Sequence, residues 1–270
     1  MNIHLFSTIC LDEDEYPDLN LYRHYIDHYK KLGIQDENFH IVPCGVDSYK
    51  ETFEDFEQIN KQNNILTLDL VPKKYDVWKS HYIYLEWYKK INPDDWIVRP
   101  DPDEFNDYGH FNTIQDCATY LEKNNYKALR GSLMDRVSKD LYLNKVRYPD
   151  ELFAQFPVQA NITKHALSAT WEKLLLFKAT VPIRPGHHDM IWNPDKIKIT
   201  QKSKQYWVRT PRPTPGIYDT NFKVFHFKWT STLVDRLNNI KHKNLYSSFS
   251  RDKEKTNNII TGDRFNIIIQ

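Results

Sequence analysis

Short apolar runs alternate with amphipathic stretches through the first half of the chain. Residues 3–9 form an apolar run of strand length. Residues 19–32 place Tyr22, Tyr25, Tyr29 and Leu32 on one helical face and stop at Gly33. Residues 39–43 predict a second strand, 49–60 a polar helix and 65–71 a third strand. Residues 76–91 carry Val77, His81, Leu85 and Tyr88 on one stripe and end before Pro93, which predicts a long helix. A fourth strand over 96–99, a helix over 113–124 and a strand over 127–133 complete the rhythm. Such alternation predicts an α/β fold: a mainly parallel, Rossmann-like central sheet with helices on both faces and right-handed crossovers. Ligands of such sheets lie beyond the carboxyl ends of the strands.

The second half is less regular. Residues 173–181 and 223–227 read as strands, and 231–246 as a helix aligning Leu233, Leu237, Ile240 and Asn244. Between them, residues 182–215 are rich in proline, lysine and histidine and read as loops or a lid. After Arg251 the chain turns polar and is expected to fray, with Ile267, Ile268 and Ile269 able to add an edge strand. No internal repeat or linker divides the sequence. The expectation is one domain over 1–250, with a regular first half (1–135) and an irregular second half (136–250), followed by a tail over 251–270.

Composition narrows the function classes. With 37 Lys+Arg against 36 Asp+Glu the net charge is +1, so nothing pulls the whole chain toward nucleic acid or an anionic membrane. Aromatic residues make up 14%, enough to line sugar-binding clefts as well as a core. The 3 cysteines, Cys10, Cys44 and Cys117, lack metal spacing and suit reduced thiols in a reducing, cytoplasmic setting. The opening residues run into Asp12-Glu13-Asp14-Glu15 too soon for a signal peptide, and no apolar run reaches membrane-spanning length. Neither G-x-G-x-x-G nor a Walker loop is present, which disfavours dinucleotide dehydrogenases and P-loop NTPases.

The chemistry concentrates in Asp101-Pro102-Asp103-Glu104-Phe105, directly after the apolar run Trp96-Ile97-Val98. A residue before proline favours extended backbone, so Arg99 and Asp101 are expected to be extended. Asp101 and Asp103 then share a face, where their repulsion calls for a cation between them or a proton on one of them. An acidic surface turn is the plain alternative.

The segment Trp96-Ile97-Val98-Arg99-Pro100-Asp101-Pro102-Asp103-Glu104-Phe105 resembles the W-I-x-x-x-D-x-D-E-F stretch of family 2-like and family 92-like glycosyltransferases of the GT-A fold. Residues 25–33 are similar to that group's W-x-x-Y-H-x-x-L-G helix, with Tyr29 where its histidine lies. Arg130-Gly131-Ser132-Leu133-Met134-Asp135-Arg136 resembles its G-x-x-x-D-R stretch, and Phe153-Ala154-Gln155-Phe156-Pro157 and His226-Phe227-Lys228-Trp229 also have counterparts. The resemblance implies metal-dependent transfer of a hexosyl or deoxyhexosyl group, with inversion, from a UDP- or GDP-linked sugar to a glycan hydroxyl.

It implies Asp103 as direct ligand of Mn²⁺ or Mg²⁺, Asp101 on the ribose or the metal, and Glu104 bracing the turn. His226 is a candidate third ligand that would lean the site toward Mn²⁺, and also reads as a core histidine. Lys228 would neutralise the leaving phosphates. Thr8, Cys10, Asp47, Trp78 and Lys79 are candidate donor contacts, although Asp47 equally suits a helix cap and Trp78 the core. For the base that takes the acceptor proton the first candidate is Asp135, at the sheet's carboxyl edge, with Asp150, Glu151 and Asp189 as alternates and an ion pair with Arg136 as the plain reading. His187 and His188 suit an acceptor pocket or a surface loop. A metal-dependent phosphohydrolase and a non-catalytic carbohydrate-binding protein are the competing classes.

Overall fold

The computed structural model describes residues 1–11, 18–45, 50–68, 77–183, 188, 216–233, 255–256 and 258–265, with backbone alone for 50 and 77–80. Strands β1 (Ile3–Cys10), β2 (Phe39–Cys44), β3 (Leu66–Thr67) and β4 (Trp96–Val98) lie parallel in the order β3-β2-β1-β4. The sheet then continues through β8 (Glu172–Lys178), β6 (Ala128–Val137), β9 (Ile217–His226) and β5 (Glu104–Asn106). A short strand, β7 (Val158–Ala160), pairs with β6 and brings the described sheet to nine strands. The α/β class is as expected from the alternation. The first half of the sheet is parallel, whereas beyond β4 only β6 and β9 run parallel to each other.

Residue parity along the strands separates two core layers. Leu5 and Ile9 of β1 with Trp96 and Val98 of β4 face helices α1 (Leu19–Lys31), α2 (Lys50–Gln62) and α4 (Ile114–Lys123), meeting Tyr22, Tyr25, Phe56 and Leu121. Phe6 and Ile97 point the other way, onto Tyr84 and Tyr88 of α3 (Val77–Tyr88). Side chains alternate across a strand, so helices cover both faces. The helix ends follow their sequence signals. Asp18 accepts from the backbone N–H of Asn20 and Leu21 at the start of α1, and Thr113 and Asp116 form a reciprocal capping box on α4.

Several boundaries depart from the sequence expectation. β3 ends at Thr67, and residues 69–71 lie outside the described set. β6 runs on to Val137, so Asp135 lies inside a paired strand instead of just beyond it. β5 was not foreseen, because three residues carry too little periodicity to read. Part of the expected fraying tail packs back: β10 (Ile260–Thr261) and β11 (Arg264–Phe265) form a hairpin, and Phe265 meets Trp229 in a third core cluster. Of the helix expected over 231–246 only residues 231–233 are described, and most of the region 182–215 and Ile267–Ile269 lie outside the described residues.

Candidate functional site

Strand register builds the site. His226, the last residue of β9, stands opposite Glu104 of β5 on one side and Asp135 of β6 on the other. Between β4 and β5 the chain reverses: the Glu104 amide donates to the Asp101 carbonyl at 2.9 Å, and the Asp101 amide donates to Glu104 Oε2 at 3.1 Å. Asp101-Pro102-Asp103-Glu104 is therefore a tight turn. Asp at the first position and Pro at the second suit it, the proline ring fixing φ where the turn needs it. This corrects the extended reading. Asp101 and Asp103 do not share one strand face; the Asp101 carboxylate meets Lys173, and that of Asp103 meets His226. Glu104 does brace the turn.

Lys173, on β8, reaches Asp101 at 2.9 Å and Glu104 at 2.7 Å. Burial pulls its pKa down, but those two carboxylates outweigh burial and hold the ammonium charged. Burial raises the pKa of Glu104, helped by the nearby Asp101 and Asp103 and opposed by Lys173. From the other layer, the Tyr29 hydroxyl donates to the Glu104 carbonyl and accepts from the Asn106 amide, both at 3.1 Å. The tyrosine thus pins the strand that leaves the turn to α1.

His226 bridges two acids, Asp103 at 3.4 Å from Nε2 and Asp135 at 3.0 Å from Nδ1. Burial disfavours its charge, but Asp103 and Asp135 push its pKa up to about 10, so both ring nitrogens donate. Asp135 is 1% exposed. Besides His226 it accepts from Trp229 Nε1 at 2.8 Å, and from the Thr163 amide and hydroxyl at 2.7 Å each. Burial raises its pKa, yet the bonds from His226 and Thr163 hold it below the usual carboxylate range. Buried and surrounded by four donors, Asp135 suits holding the imidazole in place better than taking a proton from a bound hydroxyl. The other expected bases sit elsewhere. Asp150 pairs with Arg147 at 2.8 Å on the surface, Glu151 caps α5 (Leu152–Gln155), and Asp189 lies outside the described residues.

The donor candidates divide likewise. Thr8 and Cys10 occupy the carboxyl end of β1, where Thr8 bonds the Tyr84 hydroxyl and Cys10 approaches Cys44. Trp78 and Lys79 begin α3, but their side chains, like the whole of Asp47, are outside the described set. Lys228 follows β9 by two residues, beside the bond from the Phe227 amide to the Asp103 carbonyl at 2.8 Å. His188 donates to the Glu172 carbonyl at 2.6 Å, and His187 is not described. A layer missed in the sequence lies under the turn: buried Arg99 donates to His81 Nδ1 at 3.1 Å and stacks over the Tyr84 ring at 4.0 Å. Burial and then Arg99 lower the His81 pKa to about 3, so it accepts as a neutral ring. Its only sequence signal was an arginine inside an apolar strand segment.

Among the described residues no three His, Cys, Asp or Glu side chains already converge as a metal cage. Asp103 and His226 nevertheless face each other at 3.4 Å. That is close to the spacing of two adjacent ligands on an ion with bonds of about 2.1 Å. Hard divalent ions held by one or two protein groups take their other ligands from phosphate and water. In the structure the His226 Nε2 proton faces Asp103; an ion that displaced that proton would find Asp103 and the neutral imidazole as ligands, while Asp101 is engaged by Lys173.

No protein-family model matches the chain, and no curated protein does. Solved structures overlap the chain in part. S. aureus TarS (residues 1-349) is 12% identical with a TM-score of 0.37 over 66% of this chain and 47% of that one. A second TarS structure overlaps 93% of this chain and 41% of its own, at 8% identity and a TM-score of 0.38. UDP-glucose pyrophosphorylase complexed with UDP-glucose overlaps 53% of this chain and 61% of its own, at 9% identity and a TM-score of 0.28. The chain spans under half the length of the TarS structures it matches. Likeness at this level carries no function, which has to be argued from the site. Among the described residues no helix is long and apolar enough to cross a membrane.

Proposed function

We propose that this protein is a metal-dependent GT-A glycosyltransferase that moves a sugar, with inversion, from a UDP- or GDP-linked donor to a hydroxyl of a glycan. One observation carries the reading: the acidic turn sits at the carboxyl end of β4, next to β1, with Lys173 and His226 ordering its carboxylates. Open α/β sheets bind their ligands at that edge. Asp101, Asp103, Glu104 and Asp135 gather around Lys173 and His226 at this edge.

Asp103, with His226 beside it, would hold Mn²⁺ or Mg²⁺. The ion, when bound, supplies the positive charge that stabilises the departing diphosphate. Asp101, paired with Lys173, would contact the ribose. Asp135, Thr163 and Trp229 position His226. Lys228 adds a point charge for the phosphates, and the β1 end with Thr8 and Cys10 carries the nucleoside. With Asp135 assigned to positioning, and Asp150 and Glu151 engaged away from the turn, Asp189 is the remaining candidate to test as the acceptor's base.

A thermal-shift screen of nucleotide sugars with Mn²⁺, followed by assay of nucleotide diphosphate release, tests the reading. A cognate donor at a hundred times its Kd stabilises the fold by about 2.7 kcal/mol. Asp103→Ala is expected to lose that donor- and Mn²⁺-dependent shift while melting close to wild type without ligand. Undiminished transfer by Asp103→Ala, or full activity in excess chelator, would falsify the metal assignment.

A further inference from the structure

We propose that Cys10 and Cys44 are a reversible modification site, a thiol pair that closes to a disulfide at the carboxyl ends of β1 and β2. The two sulfurs stand 3.1 Å apart, with the Cys44 thiol directed at Cys10 and at the Ile9 carbonyl. They are register partners of the parallel pair β1–β2. Partners on neighbouring strands lie about 4.8 Å apart, within the span of about 4.4–6.8 Å that a disulfide bridges. Parity puts both side chains on the face that meets α3, since Cys44 belongs to that core layer and Cys10 packs against it. No backbone movement is needed to aim one sulfur at the other.

Exposure gives the pair an order of reaction. Cys10 is partly exposed, whereas Cys44 is buried. A low-molecular-weight disulfide reaches Cys10 first. The Cys10 thiolate attacks one of its sulfurs and expels a thiolate, leaving a mixed disulfide on Cys10. The Cys44 thiolate then attacks the Cys10 sulfur and expels the second small thiolate. The two protein thiols lose two protons and two electrons, and the reagent is reduced to two thiols. Cys117 is an internal control. It is fully buried on α4, in the opposite core layer, where burial pushes its thiol up to about 12. It has neither access nor a neighbouring sulfur on its face. Formation of the bridge is independent of the function proposed above. Only its effect on donor binding, through the β1 end, rests on that reading.

The test uses the full chain, reduced and then incubated with glutathione disulfide under native conditions. It is next unfolded, alkylated and mapped by mass spectrometry. The expected product joins Cys10 to Cys44, leaves Cys117 alone alkylated, and reverts with dithiothreitol. Cys44→Ser is expected to stop at glutathione on Cys10, and Cys10→Ser to keep Cys44 as a thiol. Cys44→Ala repeats the first arm with an apolar side chain in case serine is not tolerated in the core, and circular dichroism confirms that each variant is folded. Wild-type protein that keeps glutathione on Cys10 with Cys44 alkylated, retains both thiols, or bridges through Cys117 overturns the proposal.

Discussion

Lys173 is the residue on which the acidic turn depends. It is 5% exposed and neutralises two acids at once, Asp101 and the buried Glu104. Removing one partner of a buried ion pair costs about 3–5 kcal/mol, because the other charge is left without compensation. Lys173→Met is expected to lose about that much in urea unfolding, and Glu104→Gln in the same chain to restore part of it. If Lys173→Met unfolds at the wild-type urea midpoint, the pairing is not what holds the turn. Asp135→Asn makes a second test. Its amide nitrogen would confront one of the donors from His226, Trp229 or Thr163, so a stability loss of about 3 kcal/mol or more is expected alongside lost transfer. An Asp135 that served only as a base would leave stability unchanged when converted to Asn.

At the scale of elements, the seam of β6 with its neighbours decides whether Asp135 and His226 meet. Gly131 lies where β6 passes between β8 and β9, next to register irregularities on both sides. A Cβ there would stand 2.5 Å from the Phe222 carbonyl oxygen and 2.7 Å from Leu175 Cδ1. The leucine can turn away, but the carbonyl belongs to the backbone of β9. Gly131→Ala is therefore expected to push β9 aside, costing about 1–3 kcal/mol or more and weakening donor binding. The checks are thermal melting and the donor-dependent shift; a variant with unchanged values in both would show that β9 accommodates the methyl group.

Across the whole molecule, acid sensitivity follows from histidines buried as neutral rings. Burial lowers His28 and His40 to about 4 and, with Arg99, lowers His81 to about 3. Their unfolded value is about 6.5. A base whose folded pKa is depressed binds its proton more readily in the unfolded chain. Its contribution to stability is intact above about pH 6.5 and declines as the pH falls toward about 4. Urea midpoints should hence fall across that window, and His28→Gln should flatten part of the slope by keeping a neutral ring-sized amide. An unaltered slope in His28→Gln would mean that this ring titrates normally.

The sequence by itself determined helices α1 to α4, the parallel first half of the sheet and the position of the acidic motif. Those depend on local periodicity, proline geometry and capping residues such as Asp18 and Thr113, all legible within a few neighbours. It also marked His226 and Asp135 as residues of interest. Their relation was invisible, because Asp135 and His226 are 91 positions apart and meet only through the register of β6 and β9. Lys173 lies 72 positions from Asp101, and nothing local in the sequence links the two; antiparallel pairing of β8 with β6 and β4 carries it to the turn. The reversal between Asp101 and Glu104 was misread as extended, since proline chemistry permits both and the Glu104 bonds select one. Local forces set which segments become helix or strand, whereas long-range strand register decides which charged groups share one buried space and so which protonation states they keep.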